Sequence, residues 1–285
     1  MTRTALLVTH PSRPEASTAA REAEVALEAA GFAVRADAET ITEADLAGVE
    51  IAVVLGGDGT ILRTAQMTRG TGVPILGVNL GHVGFLAESE REDISAAAAR
   101  LAAGDYEVEE RGTLDVTVRR NGADPSHDWA LNEATVERAN PGRMLEVAVE
   151  VDGRPLSSFG CDGVVMATST GSTAHAFSAG GPVVWPDVDA MLLVPISAHA
   201  LFARPLVVGP ASVFALEILA RSATPGTLSC DGARGSDLPI GTRIEVRRSD
   251  VPVRLARLSP APFTDRLVRK FSLPVAGWRG RPQEG

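Results

Sequence analysis

Five apolar residues, Ile51-Ala-Val-Val-Leu55, run directly into Gly56-Gly57-Asp58-Gly59-Thr60, and a helical stretch from Ile61 to Arg69 follows. A short apolar run without alternation is the pattern of a strand buried on both faces, which is the situation of a parallel strand with helices on either side. A strand, a glycine turn and a helix in that order commit this part of the chain to an α/β arrangement. Glycines let backbone N–H groups approach a ligand closely and tolerate positive φ, and the helix N-terminus adds partial positive charge that suits phosphate. Asp58 is out of place in a plain anion cradle, because a carboxylate repels phosphate. It suits a base that takes a proton from a hydroxyl. A tight turn capped by Asp58 and Thr60 accounts for the same residues, so the stretch alone leaves both readings open.

The rest of the first third continues the pattern. Strands are predicted at Thr4–Thr9, Phe32–Ala36 and Val73–Val78, and helices at Glu15–Ala30, Thr40–Leu46 and Arg91–Ala103, with a loop at His10–Pro14. Alternating short strands and helices predict a doubly wound α/β domain over residues 1–110, with ligands beyond the carboxyl ends of its strands. The character changes near Tyr106. Strand patterns follow at Leu114–Arg120, Trp129–Arg138, Met144–Val151, Val164–Ala167, Met191–Val194, Val213–Leu219, Arg243–Arg248 and Val253–Leu258, with one helical stretch at Ser172–Ser178. This predicts a β-rich, sandwich-like domain over 111–258. Phe263–Phe271 is helical again, and periodicity does not say where it docks.

Composition removes several function classes. The net charge of −9 argues against a nucleic-acid binder, whose affinity rests on Lys and Arg. The only lysine, Lys270, precedes Phe271, so no Gly-Lys-Ser/Thr phosphate loop exists. Cys161 and Cys230 are too few and too far apart for a disulfide framework or a zinc site, and no histidine spacing is that of a metal site. Met1 leads into strand residues without a signal peptide, and no apolar run nears the ~20 residues of a membrane span. A cytoplasmic location, with no membrane and no nucleic-acid partner, is expected.

Two further stretches carry chemistry. Asn132-Glu133 places an amide beside a carboxylate in a strand-like segment, where one of the two should point inward; taken alone, the pair reads more readily as an edge residue facing water. From Thr168 to Thr173 five of six residues bear hydroxyls, Thr-Ser-Thr-Gly-Ser-Thr. They lie before a helix that reaches Ser178-Ala-Gly-Gly-Pro182. Capping a helix needs one hydroxyl; five suit the amide, ribose and diphosphate groups of a nucleotide.

Together, Gly56-Gly-Asp-Gly-Thr60, Asn79-Leu-Gly-His-Val-Gly-Phe85, Asn132-Glu133, Asp162-Gly163, Thr170-Gly-Ser-Thr-Ala174, Ser178-Ala-Gly-Gly-Pro182 and Asp231-Gly232 resemble the ATP- or polyphosphate-dependent NAD kinase family, in its bacterial, actinobacterial-like form. The first motif alone also resembles diacylglycerol-type lipid kinases and phosphofructokinases; the hydroxyl run with Ser-Ala-Gly-Gly-Pro is the more specific part.

The resemblance implies an α/β domain, a β-rich dinucleotide-binding domain and a C-terminal segment, 259–285, returning to the first. It implies transfer of phosphoryl from ATP or polyphosphate, with Mg2+, to the 2′-hydroxyl of the adenosine ribose of NAD, by a homo-oligomer of two or four chains without a protein-held metal. Asp58 would be the general base, and Gly57, Gly59 and Thr60 would shape the phosphate turn. Asn132 and Glu133 would hold adenine and ribose groups. Asp162, Thr173, Ala174, His175 and Ser178 would line the dinucleotide pocket. Phe85 would pack beside the base, and Arg63 and Arg143 would make basic contacts. Gly160 resembles members that use polyphosphate as well as ATP. Three residues depart from the pattern: Ser169 where proline is usual, His175 where tyrosine is usual, and Ala233 where glutamine or a basic residue is common. A lipid kinase of the diacylglycerol type and a non-catalytic dinucleotide sensor are the alternatives. The hydroxyl run and the lack of an apolar, basic membrane-facing stretch speak against the first, and Asp58 against the second.

Overall fold

The computed structural model describes residues 3–9, 14–36, 46–80, 84–87, 89–90, 93–259 and 262–275. The helix expected at Thr40–Leu46 lies outside the described residues except for Leu46. The chain divides into two compact units, residues 1–110 with 253–285, and residues 111–252.

The first unit holds strands β1 (Arg3–Thr9), β2 (Phe32–Ala36), β3 (Val49–Leu55), β4 (Ile75–Asn79) and the short β5 (Ser89–Glu90), with helices α1 (Pro14–Ala29), α2 (Asp58–Thr68) and α3 (Ile94–Ala103) between them. The main sheet is parallel in the order β4-β3-β1-β2. Ala5, Leu7, Ile51, Val53, Leu55, Leu76 and Val78 share a core with residues of α1 and α3. The alternate residues Leu6, Val8, Ala52 and Val54 are buried as well. Both faces are thus covered, which is why the strands read as continuous apolar runs.

Helix α2 buries Thr60, Ile61, Thr64, Ala65 and Thr68, one helical stripe. Threonines tolerate that buried face because Thr64 Oγ1 donates to the Thr60 carbonyl (2.9 Å) and Thr68 Oγ1 to the Thr64 carbonyl (3.1 Å). The stripe fixes the helix whose first residue is Asp58.

The second unit is a sandwich. One sheet is antiparallel in the order β13-β12-β11-β8-β15-β16, from β8 (Glu133–Arg138), β11 (Gly163–Thr168), β12 (Met191–Ile196), β13 (Leu206–Val208), β15 (Gly226–Cys230) and β16 (Arg234–Leu238). The other contains β9 (Leu145–Val151), β10 (Arg154–Cys161), β14 (Val213–Ile218) and the first half of β17 (Arg243–Arg257), with β6 (Glu107–Arg119) paired to β7 (Ser126–Ala130). Inward residues of both sheets, among them Val136, Val147, Val164, Phe214, Leu228 and Val246, form one core. The other face of β11 and β12 packs Val165, Ala167, Leu192 and Val194 with Ala176 of α4 (His175–Ser178).

The structure corrects the sequence reading in two places. β17 is one strand, not two: Ser249-Asp250-Val251-Pro252 reads as a turn but stays extended. Its end pairs Leu255 with Ile75, so 253–258 count with the first unit. The strands β10, β15 and β16 carry too few large apolar residues to show alternation, and β13 is only three residues long. Helix α5 (Phe263–Phe271), which periodicity does not place, counts with the first unit.

Because α2 docks through Ile61, which is only 1% exposed, Ile61→Ala is expected to cost about 2–5 kcal/mol, the usual range for emptying a buried aliphatic site. Urea denaturation checks this. A loss below about 1 kcal/mol would mean that the stripe does not anchor α2.

Candidate functional site

In the first unit the site begins where β3 stops. The Gly56 N–H still donates to the Val78 carbonyl (3.0 Å), and Gly57 then caps α2 with extended backbone at φ −87°. None of Gly56, Gly57 and Gly59 takes a positive φ, contrary to the tolerance read from the sequence. Their use is space instead: among the described residues nothing lies within 4 Å of where a Cβ would sit on Gly57 or Gly59.

Asp58 occupies the first turn of α2, where the helix dipole favours negative charge. The N-cap itself is Gly57, which has no side chain to bond the first turn. The Asp58 carboxylate accepts the backbone N–H of Phe85 on Oδ2 (3.1 Å) and that of Leu86 on Oδ1 (3.0 Å). A Cβ on Gly84 would come within 2.4 Å of Asp58 Oδ1, so glycine is required for this approach. Asp58 thus fastens a second segment to the glycine turn in addition to opening α2. Thr60 is buried under the turn. Arg63 reaches back to the end of β1, donating from Nη2 to the Thr9 carbonyl (2.7 Å). The Phe85 ring is 9% exposed and lies against Phe263 and Phe271, with ring centroids 6.0 and 5.9 Å away.

In the second unit a second aspartate organises the residues. Asp231, at φ +51° before Gly232, accepts N–H bonds from Leu131 (2.9 Å), Asn132 (2.7 Å) and Glu133 (3.4 Å). It therefore holds the bend that presents Asn132 and Glu133. Both of these are buried, not one as alternation predicts, because Asn132 sits in the bend and only Glu133 begins β8.

The hydroxyl run closes over the same bend. Thr168 Oγ1 donates to the Leu131 carbonyl (2.6 Å) and accepts the Gly171 N–H (3.0 Å). A Cβ on Gly171 would lie 2.0 Å from the Asn132 carbonyl oxygen, a contact only glycine permits. Ser169 Oγ donates to the Val188 carbonyl, and Ser172 Oγ bonds both the carbonyl (3.1 Å) and the N–H (3.0 Å) of Val184. Most of the hydroxyls thus build the turn rather than face a ligand. A 3-10 turn, Thr170–Thr173, leads through Ala174 into α4. Thr173, Ala174 and His175 are half-buried there and Ser178 is exposed.

Glu133 is the electrostatic centre of this group. Burial, and next the negative charge of Asp231, push its carboxyl up to about 7, against the opposing backbone hydrogen bond from His175. Among the described residues its Oε2 is buried without a partner. Burial also pushes Asp231 up, with the N–H bonds from Leu131 and Asn132 opposing it. Cys161 and Cys230 are buried thiols pushed up to about 12 by burial, which suits packing rather than metal binding.

Asp162 and Arg143 are not brought to this group within the second unit. β11 pairs Gly163 with Glu137 but Ala167 with Glu133. Asp162 is therefore a strand's length from Glu133, about 17 Å at ~3.3 Å per residue. It pairs with Arg138 at 3.0 Å, and Arg143 lies exposed in the turn after β8. Sequence reasoning gave no role to Asp231, Gly84, Gly171, Arg257 or Arg266. Gly84, Gly171 and Asp231 lie within stretches that carry the resemblance, whereas Arg257 and Arg266 lie in none.

The Glu133 carboxyl binds its proton more tightly folded than at the ordinary value of 4.5. The stability this contributes is full below about pH 4.5 and is lost as pH rises through about 7. Melting temperature should therefore fall from about pH 5 to pH 8, and Glu133→Gln, which does not titrate, should fall less. Asp231, shifted in the same direction, retains part of the slope. Parallel melting profiles for the two proteins would rule this out.

The chain matches two family models, the ATP-NAD kinase N-terminal domain over residues 10–106 and the ATP-NAD kinase C-terminal domain over 131–258. It is 56% identical, over 304 aligned positions, to an NAD kinase of Thermobifida fusca, covering 99% of this chain and 93% of that protein. Among solved structures, the yeast NADH kinase complexed with NADH is 23% identical with a TM-score of 0.87, covering 98% of this chain and 90% of that one. An NAD kinase from Archaeoglobus fulgidus in complex with ATP is 27% identical with a TM-score of 0.77, over 94% and 99%. By motif, fold and identity along nearly its whole length, the chain belongs to the NAD kinase family.

Proposed function

We propose that the chain phosphorylates the 2′-hydroxyl of the adenosine ribose of NAD, giving NADP, with ATP or polyphosphate as donor. The observation that carries the reading is the Asp58 carboxylate, fixed by two backbone N–H groups beside the open backbone of Gly57 and Gly59. Each carboxylate oxygen accepts one N–H and keeps acceptor capacity. In this reading Asp58 takes the proton of the 2′-hydroxyl as that oxygen bonds to the terminal phosphorus. The bond to the leaving phosphate breaks, releasing ADP or a shortened polyphosphate. Positioning and charge stabilisation supply most of the acceleration in such transfers.

Glu133, beside Asn132 in a dry bend, is assigned to the ribose and adenine groups, and Thr173, Ala174, His175 and Ser178 to the wall of the same pocket. Among the described residues no three His, Cys, Asp or Glu side chains form a metal cluster. A divalent cation carried by the donor's phosphates would neutralise charge that develops during transfer. ATP as donor is favoured by the archaeal relative's complex with ATP. No helix among the described residues is long and apolar enough to cross a membrane; a cytoplasmic location is part of the proposal. So is a homo-oligomer, which the exposed Leu201 and Phe202 side chains support.

Asp58→Asn should retain NAD binding and lose turnover by roughly 10²–10⁴-fold, the usual worth of a positioned base. Calorimetry for binding and NADP formation for rate test this. Turnover within a few-fold of wild type would remove Asp58 as base. Asp162 and Arg143 rest on the resemblance alone. Asp162→Ala should raise the KM for NAD more than it lowers kcat, and an unchanged KM would take the residue out of the pocket.

A further inference from the structure

The carboxylate of Asp58 is only as well placed as the segment that holds it, and that segment, residues 84–87, has no regular structure of its own. Its support comes from further along the chain. The Phe85 carbonyl accepts a hydrogen bond from Arg266 Nη1 (3.0 Å), and the Leu86 carbonyl accepts one from Arg257 Nη1 (3.2 Å). Arg257, at the end of β17, is itself fixed by Glu109 through its Nε (2.6 Å). Arg266 lies on α5 between Phe263 and Phe271, whose rings both pack against the Phe85 ring.

The connectivity is specific. The Phe85 carbonyl and the Leu86 N–H belong to one planar peptide group. Arg266 binds that group at its oxygen, and Asp58 Oδ1 receives its N–H. A cation on a carbonyl polarises the peptide and strengthens its N–H as a donor, as in any hydrogen-bonded chain. The next carbonyl along is held by a second guanidinium, so the strip cannot pivot about one bond. Helix α5 buries none of its residues fully, yet it presents both the rings and the guanidinium that grip this segment.

We propose that Arg266, seconded by Arg257, is a positioning residue of the phosphoryl transfer, acting through the Phe85–Leu86 peptide to hold the Asp58 carboxylate. The proposal rests on the reading of Asp58 as the base. It assigns the C-terminal helix a part in the chemical step rather than in substrate binding.

The test uses the full chain and four variants: Arg266→Met, Arg266→Lys, Asp58→Asn and the double variant Asp58→Asn with Arg266→Met. Arg266→Met should lower kcat by about 10–100-fold, the scale of a displaced catalytic group. The KM for NAD should stay within about three-fold, since no substrate contact is lost. Arg266→Lys, which keeps a cation able to reach the carbonyl, should recover most of kcat. In the Asp58→Asn background Arg266→Met should cost nothing further, because residues acting through one another are not additive. If the Met variant does not fold, Arg266→Gln, which keeps an N–H donor without charge, is compared in the same cycle. Wild-type kcat in Arg266→Met beside an inactive Asp58→Asn would overturn this proposal and leave the base reading standing. An equal further loss in the double variant would also overturn it. An active Asp58→Asn would instead overturn the base reading itself.

Discussion

Both halves of the molecule solve one problem in one way: a carboxylate collects successive backbone N–H groups of a bend that has no partner strand to bond. Asp58 takes those of Phe85 and Leu86, and Asp231 takes those of Leu131, Asn132 and Glu133. An N–H left unpaired in such a place costs ~1–3 kcal/mol, so each aspartate removes several penalties at once and fixes where the bend goes. Each bend also carries one close approach that a glycine permits. Gly84 makes room for Asp58, and Gly171 makes room for the carbonyl of Asn132.

The two aspartates differ in what they leave available. The Asp231 side chain is 1% exposed, and Arg234 Nη2 stands 3.4 Å from it. It is sealed in, so its work ends with the bend. Its charge still acts on the neighbour, adding to burial in pushing the Glu133 carboxyl up to about 7. Asp58 is only half-buried, at a helix start with open backbone on either side. Two similar side chains therefore separate by environment into a scaffold and a group able to meet substrate.

The α/β half was legible because its signals are local. The run Ile51–Leu55, the glycines and the buried stripe of α2 lie within eighteen positions and obey simple periods. What was not legible depends on pairs far apart in the chain. Asp58 meets Phe85 and Leu86 across 27 and 28 residues, Asp231 meets Leu131 across 100, and Arg266 meets Phe85 across 181. No periodicity carries such information. By count, the hydroxyl run reads as a ligand surface. In the structure Thr168, Ser169 and Ser172 bond the backbone around them, because a turn threaded between two strand ends has its own unpaired groups to satisfy. Asn132 and Glu133 were read as strand neighbours on opposite faces, whereas a bend at Asn132 turns both inward.

That reliance on backbone also explains why the three departures from the family pattern leave the frame intact. Ser169 supplies through its hydroxyl a bond to the Val188 carbonyl, fastening the turn by a hydrogen bond where a proline would fasten it by a fixed φ. His175 reaches Glu133 by its main-chain N–H, which a tyrosine would offer equally; only the half-buried imidazole differs. Ala233 is exposed, and its N–H closes the Asp231-Gly232 turn onto the Cys230 carbonyl (3.2 Å), a bond that any residue but proline makes. In each case the contact that holds Asn132, Glu133 and Asp231 together belongs to atoms that the substitution either keeps or replaces. The departures therefore change side chains around the bend, while the geometry of the buried carboxyl groups stays set by the bends, the glycines and the two aspartates.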